Sequence, residues 1–333
     1  MLFAAVFLAI HIIFSGDGRL WKVKVERHMT RRVYTATLLT LAAMLLAGCK
    51  DDVFTVPAFV HVDGIAVDIA DEDPLSYNMG FYGSDIVAAY VVAHYPGEMS
   101  VDTVGLFRLP FTTPLLYNGQ ADYIELYPAI EQSGISGTLP YYPFYQRIQL
   151  KAADSTTLRA GDTLDLGTPT THYSRYTHKL FYASFDHDDG SVRFDSVFAT
   201  VNNTDSACTG DGYGELTVGA DELTKRFAIT GDPFTVSDAT SIVYLELDIR
   251  SDMRLQVYMH SAYVNGGSED VIPVMVINPT DHWQHMYINL GRTWAHFNHH
   301  ATFKLSFAAL NTDGTGGKVR LDNVKLLTTN AVL

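Results

Sequence analysis

The chain has 333 residues, 47% of them hydrophobic and 12% aromatic, which excludes a disordered protein and leaves enough apolar surface for a sizeable core. Tyr (19) and Phe (18) far outnumber Trp (3), a balance that suits pleated strands better than helices and predicts an all-β fold. The formal charge is −14, and residues 1–48 are themselves net +4, so the remainder carries −18; so acidic a surface repels nucleic acid and anionic lipid.

The first apolar run, Leu2 to Phe14, precedes a basic stretch from Arg19 to Arg32. Met29 stands where a compact signal peptide would begin, so residues 1–28 are expected to be an over-extended start and residues 29–48 the signal peptide. Arg31 and Arg32 lead into the apolar run Thr35 to Ala47, which closes on Leu45-Leu46-Ala47-Gly48-Cys49. That order of charged, apolar and cleavage regions is a secretory signal, and its ending resembles the lipobox of bacterial lipoproteins. The resemblance implies cleavage before Cys49 and acyl chains on that residue. The apolar run is about 13 residues, short of the roughly 20 that span a bilayer. Two or more acyl chains, at about 0.8 kcal/mol per buried methylene, anchor stably. With Cys49 acylated, Cys208 stands alone and no intrachain disulfide can form. Residues 49–53 are then a lipidated tether. Within it Lys50, Asp51 and Asp52 resemble the surface-export tag of Bacteroidetes lipoproteins, which implies an outer-membrane, cell-surface location.

Residues 54–166 show short apolar runs cut by turn signals. Ile86 to Ala93 precedes Tyr95-Pro96-Gly97, Val104 to Leu109 precedes Pro110, and Leu115 to Tyr117 precedes Asn118-Gly119, a two-residue hairpin signal. This punctuation predicts one β-sandwich of immunoglobulin-like or carboxypeptidase-regulatory-like kind. The Thr-rich stretch around Pro169 breaks the pattern, and residues 167–178 are expected to be a linker.

Residues 179–329 are predicted to form an antiparallel jelly roll. Val243, Leu245, Leu247 and Ile249 alternate with Tyr244, Glu246, Asp248 and Arg250, one face apolar and the other wet. Leu255, Val257 and Met259 repeat the pattern, as do Phe303, Leu305 and Phe307. Val319 and Leu321 share one phase and Val324 and Leu326 the other, so a β-bulge is expected at Asp322-Asn323.

Val56-Pro57-Ala58-Phe59-Val60, Gly105 to Pro110 and Tyr141-Tyr142-Pro143-Phe144-Tyr145 resemble the first domain of Bacteroidetes surface lipoproteins. Trp283 with Tyr287 to Leu290, and the closing Leu321 to Leu326, are similar to jelly rolls of the carbohydrate-binding-module and galactose-binding-like type. Jelly rolls of the resembled type often hold a structural calcium, which here would draw on Asp186, Asp188 and Asp322.

Candidate ligand-binding aromatics are Tyr141, Tyr145, Trp283 and Trp294, whose ring faces bind sugars and protein partners alike. His282, His285, His296, His299 and His300 are metal-capable, but their spacing matches no ready-made site, and a polar loop is expected there. The chain lacks a G-x-S-x-G elbow and a phosphate-binding glycine loop, so no catalytic residue is assigned. The expected protein is a lipid-anchored, non-catalytic binding or assembly module directed at a glycan or protein ligand. A structural subunit of an outer-membrane complex for uptake, adhesion or type 9 secretion and gliding stands beside it. A glycan-directed hydrolase, its carboxylates assembled only by the fold, is the third reading.

Overall fold

Strands make up nearly all the regular structure, as the Val, Ile, Thr and aromatic content favours. The computed structural model describes residues 56–67, 84–94, 101–115, 123–151, 161–186, 193–236, 242–261, 269–296 and 302–329. Cys49, Lys50, Asp51, Asp52, the expected signal peptide and the Asn118-Gly119 turn lie outside them. Among the described residues no helix is long and apolar enough to cross a membrane.

The first nine strands are β1 (Ala58–Val62), β2 (Ala66–Val67), β3 (Ile86–His94), β4 (Val101–Arg108), β5 (Phe111–Leu115), β6 (Tyr123–Ile130), β7 (Ile148–Lys151), β8 (Thr163–Asp165) and β9 (Thr170–Thr171). They form a three-stranded sheet β5-β1-β8, a four-stranded sheet β4-β3-β6-β7 and a short β2-β9 ladder. Val60, Val62, Ala89, Val91, Ile124 and Leu126 fill this first sandwich, and their alternation in β1, β3 and β6 is what makes those segments strands. The stretch expected as a linker is tied in: Thr170 and Thr171 pair with Ala66 and Val67, and Tyr173 bridges to Tyr145.

The second half comprises β10 (Thr177–Ala183), β11 (Ala199–Asn202), β12 (Gly212–Val218), β13 (Thr224–Ala228), β14 (Phe234–Thr235), β15 (Val243–Ser251), β16 (Arg254–Ser261), β17 (Asp270–Ile277), β18 (Thr280–Asn289), the short helix α1 (Gly291–His296), β19 (Thr302–Leu310) and β20 (Gly317–Thr329). One sheet runs β11-β12-β20-β15-β18 with β10 beside β20; the other runs β13-β19-β16-β17 with β14 beside β19. This is the jelly-roll sandwich. Its core takes Val243, Leu245, Leu247 and Ile249 from β15, Leu255, Val257 and Met259 from β16, and Phe303, Leu305 and Phe307 from β19. The bulge falls where the phase slips: Glu246 pairs with Lys325 and Asp248 with Asp322, leaving Leu247 alone opposite Asn323 and Val324, and Asn323 adopts φ 48°.

One expectation fails in an informative way. The Tyr244, Glu246, Asp248 face of β15 is buried, not wet. Period-two alternation shows which face is polar, but not whether another layer covers it. Here residues 142–145 and Tyr173 cover Tyr244 and Glu246, whereas Asp248 lies under Cys208 of the jelly roll's own 208–211 loop.

Candidate ligand-binding groove

Between β6 and β7 the chain leaves its sheet as a strap, residues 131–147. Tyr141 forms an antiparallel bridge to Ala129 and Gln132 a parallel bridge to Tyr287 on β18. A turn at Pro143-Phe144, closed by the Tyr145 N–H donating to Tyr142 O at 3.2 Å, follows the bridge. It buries Tyr142, Phe144 and Tyr145 against the jelly roll, whereas Tyr141 stays 56% exposed.

Beneath the strap Tyr142, Phe144, Tyr145 and Tyr173 pack with Tyr244, Tyr287 and Leu327. The Tyr142 ring meets Phe144, Tyr145, Tyr244 and Tyr287 edge-on at centroid distances of 4.8 to 5.2 Å. At the centre lies the Glu246 carboxylate. Tyr142 donates its hydroxyl to Oε1 at 2.5 Å, Tyr173 donates to Oε2 at 2.7 Å, and Lys325 Nζ stands 3.4 Å from Oε2. Burial holds the hydroxyls of Tyr142, Tyr145, Tyr173 and Tyr287 well above the ordinary tyrosine range, so all four remain protonated. A buried carboxylate is tolerated because its lone pairs are met. Two further bonds fix the strap: Gln132 Oε1 accepts from the Tyr244 hydroxyl at 2.9 Å, and Ser133 N donates to Tyr287 O at 2.8 Å.

Further along the same sheet Asp248 Oδ1 meets His285 Nδ1 at 2.8 Å, and its Oδ2 accepts from Asn323 Nδ2 at 2.8 Å. Burial acts to raise Asp248, but His285 and these hydrogen bonds hold it below the ordinary aspartate range. Asp322 is pushed up to about 8, chiefly by burial, although its oxygens accept N–H groups from Cys208, Thr209 and Asn323.

Asp186, expected as a calcium ligand with Asp322, takes the N–H of Asp211 at 2.9 Å. Both carboxylates thus clamp the 208–211 loop. Asp188 lies outside the described residues. Among the described residues, His61, Asp63 and Asp165 offer donor atoms within 4.8 Å of one another, His61 on β1 pairing with Asp165 on β8 and Asp63 following β1 directly.

Above the buried seam the exposed side of the strap forms the ridge of a groove. Tyr141 and Pro143 separate two hollows of about 500 and 550 Å³. The first is bounded by Gln132, Pro140, Ile242, Tyr244, Asn289 and Arg292. The second is bounded by Tyr127, Gln146, Arg147, Gln149, Arg175 and Tyr176. Tyr176 is as exposed as Tyr141, and the Arg175 guanidinium lies 4.8 Å above its ring. Arg147 is set by the buried Glu125, 3.1 Å away, and by the Tyr127 hydroxyl at 3.4 Å.

Of the expected ligand-binding aromatics, Tyr141 stands fully on the groove, and Tyr145 lines it with one edge although it is buried. Trp294 does neither. It is 1% exposed and packs in the jelly-roll core against Phe303 at 5.4 Å, because the short helix turns its ring inward. Trp283 is half-buried against Tyr213 and donates to Ser206 O at 3.1 Å, away from the groove lining. His282 is exposed beside Asp281, His296 ends α1, and His299 and His300 lie outside the described residues. The groove also holds residues that sequence reading passed over: Arg147, Arg175, Tyr176 and Arg292. Arg175 and Tyr176 sat in the expected linker, where an adjacent Arg-Tyr pair was the available signal.

Comparison by sequence finds no matching family model and no matching curated protein. Among solved structures the chain is similar to a family 11 carbohydrate-binding module of a cellulosomal cellulase of Clostridium thermocellum, at 14% identity and TM-score 0.31, covering 44% of this chain and 94% of that one. It is also similar to the C-terminal family 22 carbohydrate-binding module of a Clostridium thermocellum xylanase, at 10% identity and TM-score 0.32, covering 46% of this chain and 97% of that one. Likeness at this level identifies neither ligand nor site.

Proposed function

We propose that the protein is a lipid-anchored, non-catalytic binding module that takes an extended glycan in the groove across Tyr141. The single observation that carries this reading is the pairing of two exposed aromatic rings, Tyr141 on the docked strap and Tyr176 beside it, with the exposed amides and guanidiniums of Gln146, Arg147, Gln149 and Arg175. Aromatic faces suit the apolar C–H faces of sugar rings, and amide and guanidinium edges suit their hydroxyls. The lining residues are aromatic, aliphatic, amide, hydroxyl and arginine, with no carboxylate pair for glycoside cleavage, which supports binding without turnover. Acylation at Cys49 would hold the module at the outer membrane, with the export tag Lys50, Asp51 and Asp52 directing it to the cell surface.

A second reading, a subunit of a surface assembly, is favoured by β17. It is an edge strand of its sheet and exposes Val271 and Val276, a template for a partner strand. A glycan array probed with the full chain in detergent separates the two. The glycan reading predicts selective retention by a few oligosaccharides, abolished by Tyr141→Ala. Retention by none, or retention unaffected by that substitution, overturns it.

A further inference from the structure

The charge of the groove goes against the charge of the chain. The sequence carries 37 acidic against 23 basic residues, yet no residue lining either hollow is acidic, and three are arginines: Arg147, Arg175 and Arg292. All three are exposed. Arg147 is partly neutralised by Glu125. Arg175 and Arg292 have no carboxylate partner among the described residues; the polar contact of Arg175 is the Tyr176 hydroxyl at 2.5 Å. A guanidinium without a carboxylate partner keeps the remaining donors of its planar fork for a ligand carboxylate.

From this juxtaposition we infer that the groove selects acidic glycans, chains bearing uronic-acid carboxylates, and that Arg175 and Arg292 are the residues that recognise the charge. The inference rests on the glycan reading of the same groove and adds its substrate class. Arg175 lines the hollow on one side of the Tyr141-Pro143 ridge and Arg292 the hollow on the other. A chain lying across the ridge therefore meets a cation on each side while its sugar faces stack on Tyr141 and Tyr176. The distant acidic surface does not prevent this. Screening at physiological salt acts over about 8 Å, so a ligand in the groove responds to the local arginines more than to the net charge. An acidic peptide would satisfy the arginines but would leave the flat aromatic faces without a ring to stack on.

The test is calorimetric titration of the full chain in neutral detergent with three probes. These are tetragalacturonic acid, its carboxyl-reduced neutral tetrasaccharide, and tetraglutamate. The expected result is binding of the acidic tetrasaccharide roughly tenfold or more above the neutral one, weakening as salt rises. Arg175→Gln with Arg292→Gln should remove that preference while the affinity for the neutral sugar changes less than about twofold. Equal binding of the acidic and neutral sugars, or a preference that survives the double substitution, overturns the acidic specificity and leaves the glycan reading intact. Tetraglutamate binding as tightly as the uronate overturns it in favour of charge alone. If neither sugar binds, the acidic specificity falls, and the glycan array alone decides the glycan reading.

Discussion

Tyr142 donates its hydroxyl to Glu246 at 2.5 Å, joining the strap of the first sandwich to β15, an inner strand of the jelly-roll sheet, across 104 positions of sequence. The bond accounts for the burial of Glu246 on a face of β15 that reads as wet. It also explains why Tyr141, one residue earlier, is held outward as a fixed ridge rather than as part of a mobile loop.

Because Glu246 and Lys325 are both fully buried and face each other, removing one partner leaves a bare charge in the seam. Lys325→Met is expected to lose roughly 3–5 kcal/mol. Lys325→Met combined with Glu246→Gln should recover part of that, since the amide oxygen still accepts a tyrosine hydroxyl and carries no charge. Urea unfolding midpoints of the two variants check the order.

The raised Asp322 makes stability fall toward alkaline pH. Its value moves from an ordinary 3.8 to about 8 on folding, so the folded state holds the proton more tightly than the unfolded one. No penalty exists below pH 4; it grows as pH rises from 4 toward 8 and is complete above. Unfolding curves between pH 5 and 9 should show this decline in the native chain and a flatter profile in Asp322→Asn. A native stability that rises across this range, or the same slope in both proteins, would be inconsistent with it.

Cys208 lies beside Asp248 and Asp322, and burial, with these carboxylates, pushes its thiol well up. The native protein should therefore react with a disulfide reagent at pH 8 many times more slowly than the urea-unfolded chain. Similar rates in the two states would contradict that placement.

The two aromatic candidates Tyr141 and Trp294 separate cleanly by stability. Trp294→Ala should cost roughly 3–5 kcal/mol, because it empties a core site against Phe303, whereas Tyr141→Ala should stay within about 0.5 kcal/mol. The comparison by thermal or urea unfolding also certifies Tyr141→Ala as a folded variant for binding work.

Much of the fold could be read from residue order because the signals are local. The alternation in Val243 to Arg250 marks β15, and the phase slip between Leu321 and Val324 locates the bulge that places Asn323 at φ 48°. What could not be read depends on contacts distant in sequence. Glu246 looks like a solvated residue until Tyr142 and Tyr173 arrive from 104 and 73 positions away. The groove is illegible for the same reason, since Arg175 comes from the expected linker and Arg292 from a six-residue helix too short to announce itself by periodicity. Trp294 misled because residue type does not say which way a ring points.

The most direct measurement is hydrogen–deuterium exchange of the full chain with and without a saturating oligosaccharide selected on the glycan array. New protection should be confined to residues 139–149, 174–176 and 289–295, on both sides of Tyr141. Protection centred on the β16 and β17 sheet, or on the 203–211 loop with those segments unchanged, would contradict a ligand lying in the groove.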